Sequence, residues 1–374
     1  MTIKRTIQAC LEKKLFQGKI VIIYGARQVG KTTLVKEIQN KYKKESVYLN
    51  CDEPDIRDAF TDRTSTELKS FLGNSRLVIL DEAQRVKNIG LSLKLIADNF
   101  PKIQIIATGS SSFELSNEIA EPLTGRKYEL YLYPFSLAEI RQIYSPTEIT
   151  RLLEKRLILG SYPEIVKNER AAWENLQNIT RSYLYKDVLR WQNIKNPEIL
   201  ERLLQALALQ IGQEVSYNKL SGLVGVDKKT VASYIQILEK AFIIFRLNPF
   251  SRNLRNELKK LRKIYFYDNG VRNVLINNNN PLRLRSDGGA LWENYLISER
   301  IKYHHNQQQN PNLYFWRTQQ KREIDLIEER KGKLFAYELK WGRKRVTVPK
   351  DWRVNYPGAR FIVVDQNNFL DFTT

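Results

Sequence analysis

Gly25-Ala26-Arg27-Gln28-Val29-Gly30-Lys31-Thr32 follows the apolar run Ile20-Val21-Ile22-Ile23-Tyr24 and precedes a helical pattern. The spacing G-x-x-x-x-G-K-[ST] between a buried strand and a helix fits few folds, because the loop must aim successive backbone N–H groups at one point. Gly25 and Gly30 permit close approach of a phosphate, and the following helix adds the positive end of its dipole. Lys31 is then placed to reach the β- and γ-phosphates and the Thr32 hydroxyl to ligate Mg²⁺. A chance match in a glycine-containing turn is the alternative, and the strand-loop-helix context argues against it. Gly25, Ala26, Arg27, Gln28, Val29, Gly30, Lys31, Thr32 and Thr33 are the expected nucleotide-binding residues, with ATP and Mg²⁺ as cofactors.

Leu77-Val78-Ile79-Leu80 ends in Asp81-Glu82, a buried strand finishing in two carboxylates. A second Mg²⁺ contact is needed at such a strand end, so Asp81 is expected to hold the metal shell. Glu82 is placed to orient or deprotonate an attacking water, which argues for hydrolysis rather than phosphoryl transfer to a second substrate. The run from Ile103 to Ala107 ends in Thr108-Gly109-Ser110, and Thr108 is placed to contact the γ-phosphate or the water. A helix cap or turn is the plainer role for Thr108. Together with Val47-Tyr48-Leu49, these β-branched runs predict a parallel sheet covered by helices on both faces.

Beyond about Ser145 the pattern becomes helical. Asn218 to Gly225 and Lys228 to Ala241 are two helices separated by a short turn, which suits a helix-turn-helix, and the strand-like Ile243 to Leu247 points to a winged version. Lys228 and Lys229 open the second helix as expected DNA contacts; a helical lid or packing module is the alternative. Ser251 to Lys263 is rich in Arg and Lys yet carries Leu254, Leu258 and Leu261 at helical spacing, so an amphipathic helix with a solvated basic face is expected. The formal net charge of +20, from 61 Lys+Arg against 41 Asp+Glu, favours a polyanionic partner, although evenly spread lysines give the same number. Cys10 and Cys51 are the only cysteines, which excludes a disulfide framework and fits a reducing cytoplasm. No apolar run reaches the ~18 to 20 residues of a membrane span, and Met1 to Arg5 leads into no signal-peptide core. No membrane partner is expected.

Past the loop Asn277 to Asn280, a helix is predicted over Gly289 to Tyr303, then strands at Leu313 to Trp316, Glu323 to Glu328, Leu334 to Lys340 and Arg360 to Val364. Asp325 and Glu338 fall on adjacent strands joined by a turn at Lys331-Gly332-Lys333. Strand alternation puts Glu338 and Lys340 on one face. Two carboxylates can bind Mg²⁺ while a lysine stabilises charge on a phosphate, so Asp325 and Glu338 are expected metal ligands with Lys340 beside them. Glu293, on the preceding helix, is a fourth expected member. A salt-bridged hairpin explains Glu338 and Lys340 equally well.

Gly25 to Thr32, Leu77 to Gln84, Ala107 to Ser110 and Leu123-Thr124-Gly125-Arg126 resemble the AAA-type ATPases of prokaryotes, whose sheets carry an additional strand. The resemblance implies a sensor role for Thr108. It implies for Arg126 the role of a sensor arginine or an arginine finger, acting in cis or from a neighbouring copy in a homo-oligomer. Glu293, Asp325 and Glu338-Leu339-Lys340 resemble the PD-(D/E)xK nuclease superfamily, with Ile324 where the motif has proline. Gly160 to Glu164, Tyr183 to Asp187 and Lys263 to Gly270 extend the likeness to a family that joins these parts. It implies an α/β chain in three units: a P-loop additional-strand ATPase domain over 1–145, a helical lid with a winged helix-turn-helix over 146–265, and a restriction-endonuclease-like domain over 266–374. Two functions follow. One is Mg-dependent ATP hydrolysis coupled to action on nucleic acid, DNA foremost, with cleavage by the C-terminal unit. The other is an ATP-gated switch or scaffold whose C-terminal unit is inert.

Overall fold

The computed structural model describes residues 3–109, 119, 121–183, 196–251, 262–342 and 346–374. Most of the basic stretch Ser251 to Lys263, including Leu254, Leu258 and Leu261, and the stretch 184–187 lie outside the described residues, as does Ser110.

Five of the predicted runs form one sheet: β1 (Ile20–Gly25), β2 (Ser46–Asn50), β3 (Leu77–Asp81), β4 (Gln104–Gly109) and β5 (Lys127–Leu132), in the order β2-β3-β4-β1-β5. Every pairing in it is parallel. Parallel neighbours need crossovers, and the helices Lys31–Lys41, Ser65–Leu72 and Ile89–Asn99 supply cover for the faces. Strands β1, β3 and β4 are consequently buried along their whole length. Because β4 lies between β1 and β3, the strand ending in Asp81 is not the neighbour of the strand ending in Gly25. Parallel strands deliver all their C-terminal ends to one edge, so these termini still converge.

The second sheet holds β6 (Glu214–Val215), β7 (Ile244–Pro249), β8 (Arg262–Phe266), β9 (Asn312–Arg317), β10 (Glu323–Arg330), β11 (Lys333–Leu339) and β12 (Arg360–Val364), in the order β12-β11-β10-β9-β7-β8-β6. A parallel pairing of Asn248 with Tyr314 and Pro249 with Phe315 joins its two halves, so the sheet runs across position 265/266. Between β6 and β7 stand the helices Tyr217–Val224 and Lys228–Lys240. Gly225 closes the first in the left-handed region at φ 75°, where glycine carries no Cβ penalty. Asp227 caps the second, accepting from the Lys229 and Thr230 N–H groups at 2.8 and 3.0 Å.

The helix Gly288–Asn306 is buried on nearly every side, with Trp292, Leu296 and Ile297 inside a core shared with Phe135, Leu157, Phe245, Phe315, Tyr337 and Phe369. A helix enclosed in this way tolerates few unpaired charges, so its buried polar residues need partners. Glu293, Arg300 and His304 all find them.

Candidate functional site

The first site is built at the C-terminal edge of the parallel sheet. Gly25 ends β1 against Leu132 of β5, and any Cβ there would collide with the Leu132 carbonyl oxygen. Gly30 precedes the helix Lys31–Lys41 at φ 97°, and Gln28 also lies in the left-handed region at φ 61°. Two positive-φ residues within three positions curl the backbone so that the helix N-terminus faces the loop. Val29 and Ala26 are buried beneath it, whereas Gln28 and Thr33 are exposed and Arg27 is half-buried. The buried Lys31 ammonium donates to the carbonyls of Gly25 and Ala26, each at 3.0 Å.

Asp81, 3% exposed, is the hub. Its Oδ2 accepts from the Thr32 hydroxyl at 2.7 Å and from the Tyr48 hydroxyl at 2.6 Å, while its Oδ1 accepts from Thr108 Oγ1. Thr108 is fully buried and also accepts the Glu82 N–H at 3.1 Å. Glu82 sits in the left-handed region at φ 55°, uncommon for a residue with a Cβ and recurrent where function fixes the backbone. Gln84 Nε2 donates to Glu82 Oε2 at 2.5 Å. The structure thus brings Lys31, Thr32, Asp81, Glu82 and Thr108 together. Thr108 makes its bonds to Asp81 and Glu82 from inside β4.

Arg126 is not brought to this edge. It immediately precedes β5, and Lys127 pairs with Ile20 at the start of β1, so Arg126 lies at the opposite end of the sheet from Gly25. There its Nε donates to Asp98 at 2.6 Å with both side chains exposed. A sensor role in cis is excluded by the parallel register. Two residues that the sequence reading passed over do reach the site. Tyr48 comes from β2, next to β3, and Arg5 binds the Tyr133 carbonyl at 2.5 Å, the Val29 carbonyl at 3.5 Å and Glu139 at 3.1 Å, bracing the loop from behind. No local motif marks either; Tyr48 was visible only as the middle of a strand two positions before Asn50, which pairs with Asp81.

A second polar centre lies in the other sheet. The β10–β11 hairpin pairs Leu326 with Tyr337, the residues next to Asp325 and Glu338. Lys340 contacts Glu338 at 2.5 Å and Asp325 at 3.7 Å, and the Leu339 N–H donates to Asp325 at 2.8 Å. Glu293 reaches the same place from its helix, so all four predicted members converge. Three more join them: Lys263 and Tyr265 of β8, and Glu323 of β10. Lys263 binds Glu293 Oε1 at 3.0 Å and also pairs with Glu323, and the Tyr265 hydroxyl donates to Glu293 Oε1 at 2.6 Å. One oxygen each from Glu293, Glu323 and Asp325 fall within 4.8 Å of one another. Burial pushes the Glu293 carboxyl up to about 7 against the pull of Lys263, and Asp325 adds to the rise. Burial also raises Asp325 and Glu338. Burial opposes the Lys263 charge, but Glu293 and Glu323 outweigh it and hold its proton above the usual lysine range.

The two centres are joined through aromatic packing. Tyr133 follows β5, shares a 2.6 Å hydrogen bond with His305 Nδ1 at the end of the Glu293 helix, and stacks on Tyr267 at 5.0 Å. Burial, with His304 next to it, lowers the His305 pKa to about 4.

Residues 17–141 match the model of a family described as "AAA domain". Residues 17–141 are an AAA-type ATPase domain. Such a domain binds nucleotide, and ATP hydrolysis is the general activity of its class. Residues 150–282 and 288–369 match two further families, each described as a domain of unknown function (DUF8612 and DUF4143). The uncharacterized protein MJ1544 of Methanocaldococcus jannaschii is 25% identical over 399 residues, covering 99% of this chain and 87% of the relative. The uncharacterized protein Rv2008c of Mycobacterium tuberculosis is 27% identical over 340 residues, covering 90% of this chain and 74% of the relative. Among solved structures, the Pif1 helicase from Candida albicans matches at 17% identity and TM-score 0.25, over 48% of each chain. Drosophila ORC bound to GC-rich DNA and Cdc6 matches at 9% identity and TM-score 0.27, over 74% of this chain and 91% of that one. No helix among the described residues is long and apolar enough to cross a membrane.

Proposed function

We propose that the AAA-type domain hydrolyses ATP with Mg²⁺ and couples that cycle to action on DNA by the rest of the chain. The observation that carries the ATPase reading is the bonded series Thr32, Asp81, Thr108 and Glu82, which ties the loop helix, β3 and β4 into one unit. The Thr32 hydroxyl and the Asp81 carboxylate, 2.7 Å apart at the loop helix, are hard oxygen donors that suit Mg²⁺. When bound, the ion neutralises charge on the phosphates. Lys31 exchanges its Gly25 and Ala26 carbonyls for phosphate oxygens. Glu82, steadied by Gln84 on Oε2, takes the proton of the attacking water as the β–γ bond breaks and ADP and phosphate form. Arg126, at the far edge, contributes only from a neighbouring copy.

The DNA reading rests on the net charge and on the pair Tyr217–Val224 and Lys228–Lys240, which with β7 and β8 resembles a winged helix. Lys228, Lys229, Ser233 and Gln236 are exposed on the second helix, a mixture of phosphate and base-edge chemistry. The C-terminal hairpin with Glu293 supports a nuclease-like fold. Its carboxylates, as arranged, do not fit a divalent ion, because the Lys263 ammonium holds Glu293 and Glu323. That observation favours a second reading, the ATP-gated switch, for the C-terminal unit.

ATP turnover measured with and without duplex DNA tests the coupling. Stimulation is expected in 50 mM salt and its loss in 200 mM salt, since ~6 phosphate contacts cost on the order of 10³ in affinity over that range. Turnover indifferent to DNA at both salts removes the DNA reading and leaves the ATPase.

A further inference from the structure

Lys263 is 1% exposed and stands where a divalent ion would be sought. It belongs to β8, where Glu214 and Leu247 flank it on β6 and β7, so its backbone is fixed by strands on both sides. Its ammonium reaches Glu293 and Glu323 and lies 5.6 Å from the centre of the Phe315 ring. Glu323 also takes Arg317 at 3.4 Å, and Asp325 and Glu338 take Lys340. Among the described residues, four carboxylates therefore face three cationic side chains supplied by the chain itself. Buried carboxylates of this density persist only when countercharge is built in or bound. Here it is built in.

We propose that Lys263 is an internal cation that occupies the divalent-ion position of the Glu293–Glu323–Asp325 cluster and keeps it metal-free in this arrangement. The inference rests on the nuclease-like reading of the C-terminal unit only for the expectation that such a cluster would otherwise take an ion. Lys263 enters from β8, while Glu323 and Asp325 enter from β10, with β9 and β7 between them in the sheet. The cation and the carboxylates are thus carried by different parts of the sheet. The site is closed by a contact rather than by lack of ligands.

The test is Mn²⁺ binding to the full chain without nucleotide, read from free Mn²⁺ by electron paramagnetic resonance, for wild type, Lys263→Met and Lys263→Met with Asp325→Asn. Lys263→Met is expected to bind one Mn²⁺ at least ~10-fold more tightly than wild type, the scale of removing a unit charge at contact distance. Adding Asp325→Asn is expected to reverse the gain. Lys263→Met is also expected to melt lower than wild type and to recover with Mn²⁺, the ion replacing the lost charge, while wild type shows no such rise. Equal Mn²⁺ affinity in wild type and Lys263→Met overturns the proposal. So does a Lys263→Met chain that stays unfolded in millimolar Mn²⁺, because the ion then does not substitute for the ammonium. DNA cleavage by Lys263→Met is scored separately. Mn²⁺ binding without cleavage ends the nuclease reading and leaves the internal cation standing, whereas no Mn²⁺ binding ends the internal cation.

Discussion

Thr108→Val removes a hydroxyl from the ATPase centre while keeping side-chain volume nearly unchanged. Thr108 is fully buried, donates to the Asp81 carboxylate and accepts the Glu82 N–H at 3.1 Å, so both partners lose a bond at once. A hydrogen bond to an ionised group contributes about 1.5–3 kcal/mol, and a buried N–H left without a partner costs about 1–3 kcal/mol. Asp81 keeps Thr32 and Tyr48 on its other oxygen, so the larger consequence falls on Glu82. That residue is held at φ 55°, and losing its N–H bond frees the backbone to relax away from the left-handed region. If about 3 kcal/mol of that positioning is lost in the transition state, kcat falls by ~100-fold, because each factor of ten is about 1.4 kcal/mol. Nucleotide contacts with the loop and Lys31 are untouched, so KM for ATP should stay within about threefold. Steady-state phosphate release across an ATP titration, with equilibrium unfolding of the same protein, separates the two effects. A Thr108→Val protein with wild-type kcat and wild-type stability refutes the reasoning.

Tyr48→Phe takes one of two donors from Asp81 Oδ2 and leaves Thr32 as the other, so it should raise the Mg²⁺ concentration needed for half-maximal turnover and change kcat by less than about threefold; a loss in kcat as large as that of Thr108→Val would mean Tyr48 touches the reaction directly. Glu328 is fully buried between Arg300, bound at 2.5 and 3.0 Å, and His304, bound at 2.9 Å. Burial raises its carboxyl, but the His304 and Arg300 hydrogen bonds outweigh that and hold it down to about 2. The folded value lies below the unfolded one, so the contribution is complete above pH ~4.5 and lost as pH falls from there toward 2, on the order of 3 kcal/mol in all. Urea unfolding at pH 7, 5 and 3 should show that loss in the wild type and little of it in Glu328→Gln. An equal acid dependence in the two proteins removes Glu328 as its source.

What could be read from the sequence follows physical locality. The β-branched runs and the glycine spacing fixed the strand-loop-helix unit because each is contiguous in the chain. Asp325 and Glu338 were legible for a similar reason: a short antiparallel turn at Lys331-Gly332 sets its own register. Glu323, two residues before Asp325 on β10, was open to the same strand alternation that groups Glu338 with Lys340. Lys263 and Tyr265 were not legible, since β8 reaches β10 only through the parallel pairing of β7 with β9, more than sixty residues apart, and no local pattern encodes it. Tyr48 is the same case at the nucleotide site. Arg126 is different, because the means of placing it were available. A residue that precedes a parallel strand lies at the opposite sheet edge from a loop that follows one, and motif likeness alone ignored that direction. The basic stretch after Ser251 reads as an amphipathic helix with a solvated basic face, and 252–261 lie outside the described residues.

Phosphate release from ATP in Mg²⁺ by wild type, Lys31→Ala and Glu82→Gln, with nucleotide binding followed in parallel, tests the ATPase claim most directly. Wild type should bind and turn over, Lys31→Ala should lose tight binding, and Glu82→Gln should bind ATP but release no phosphate. A Glu82→Gln protein turning over at the wild-type rate, or a wild type that binds no ATP, contradicts the account.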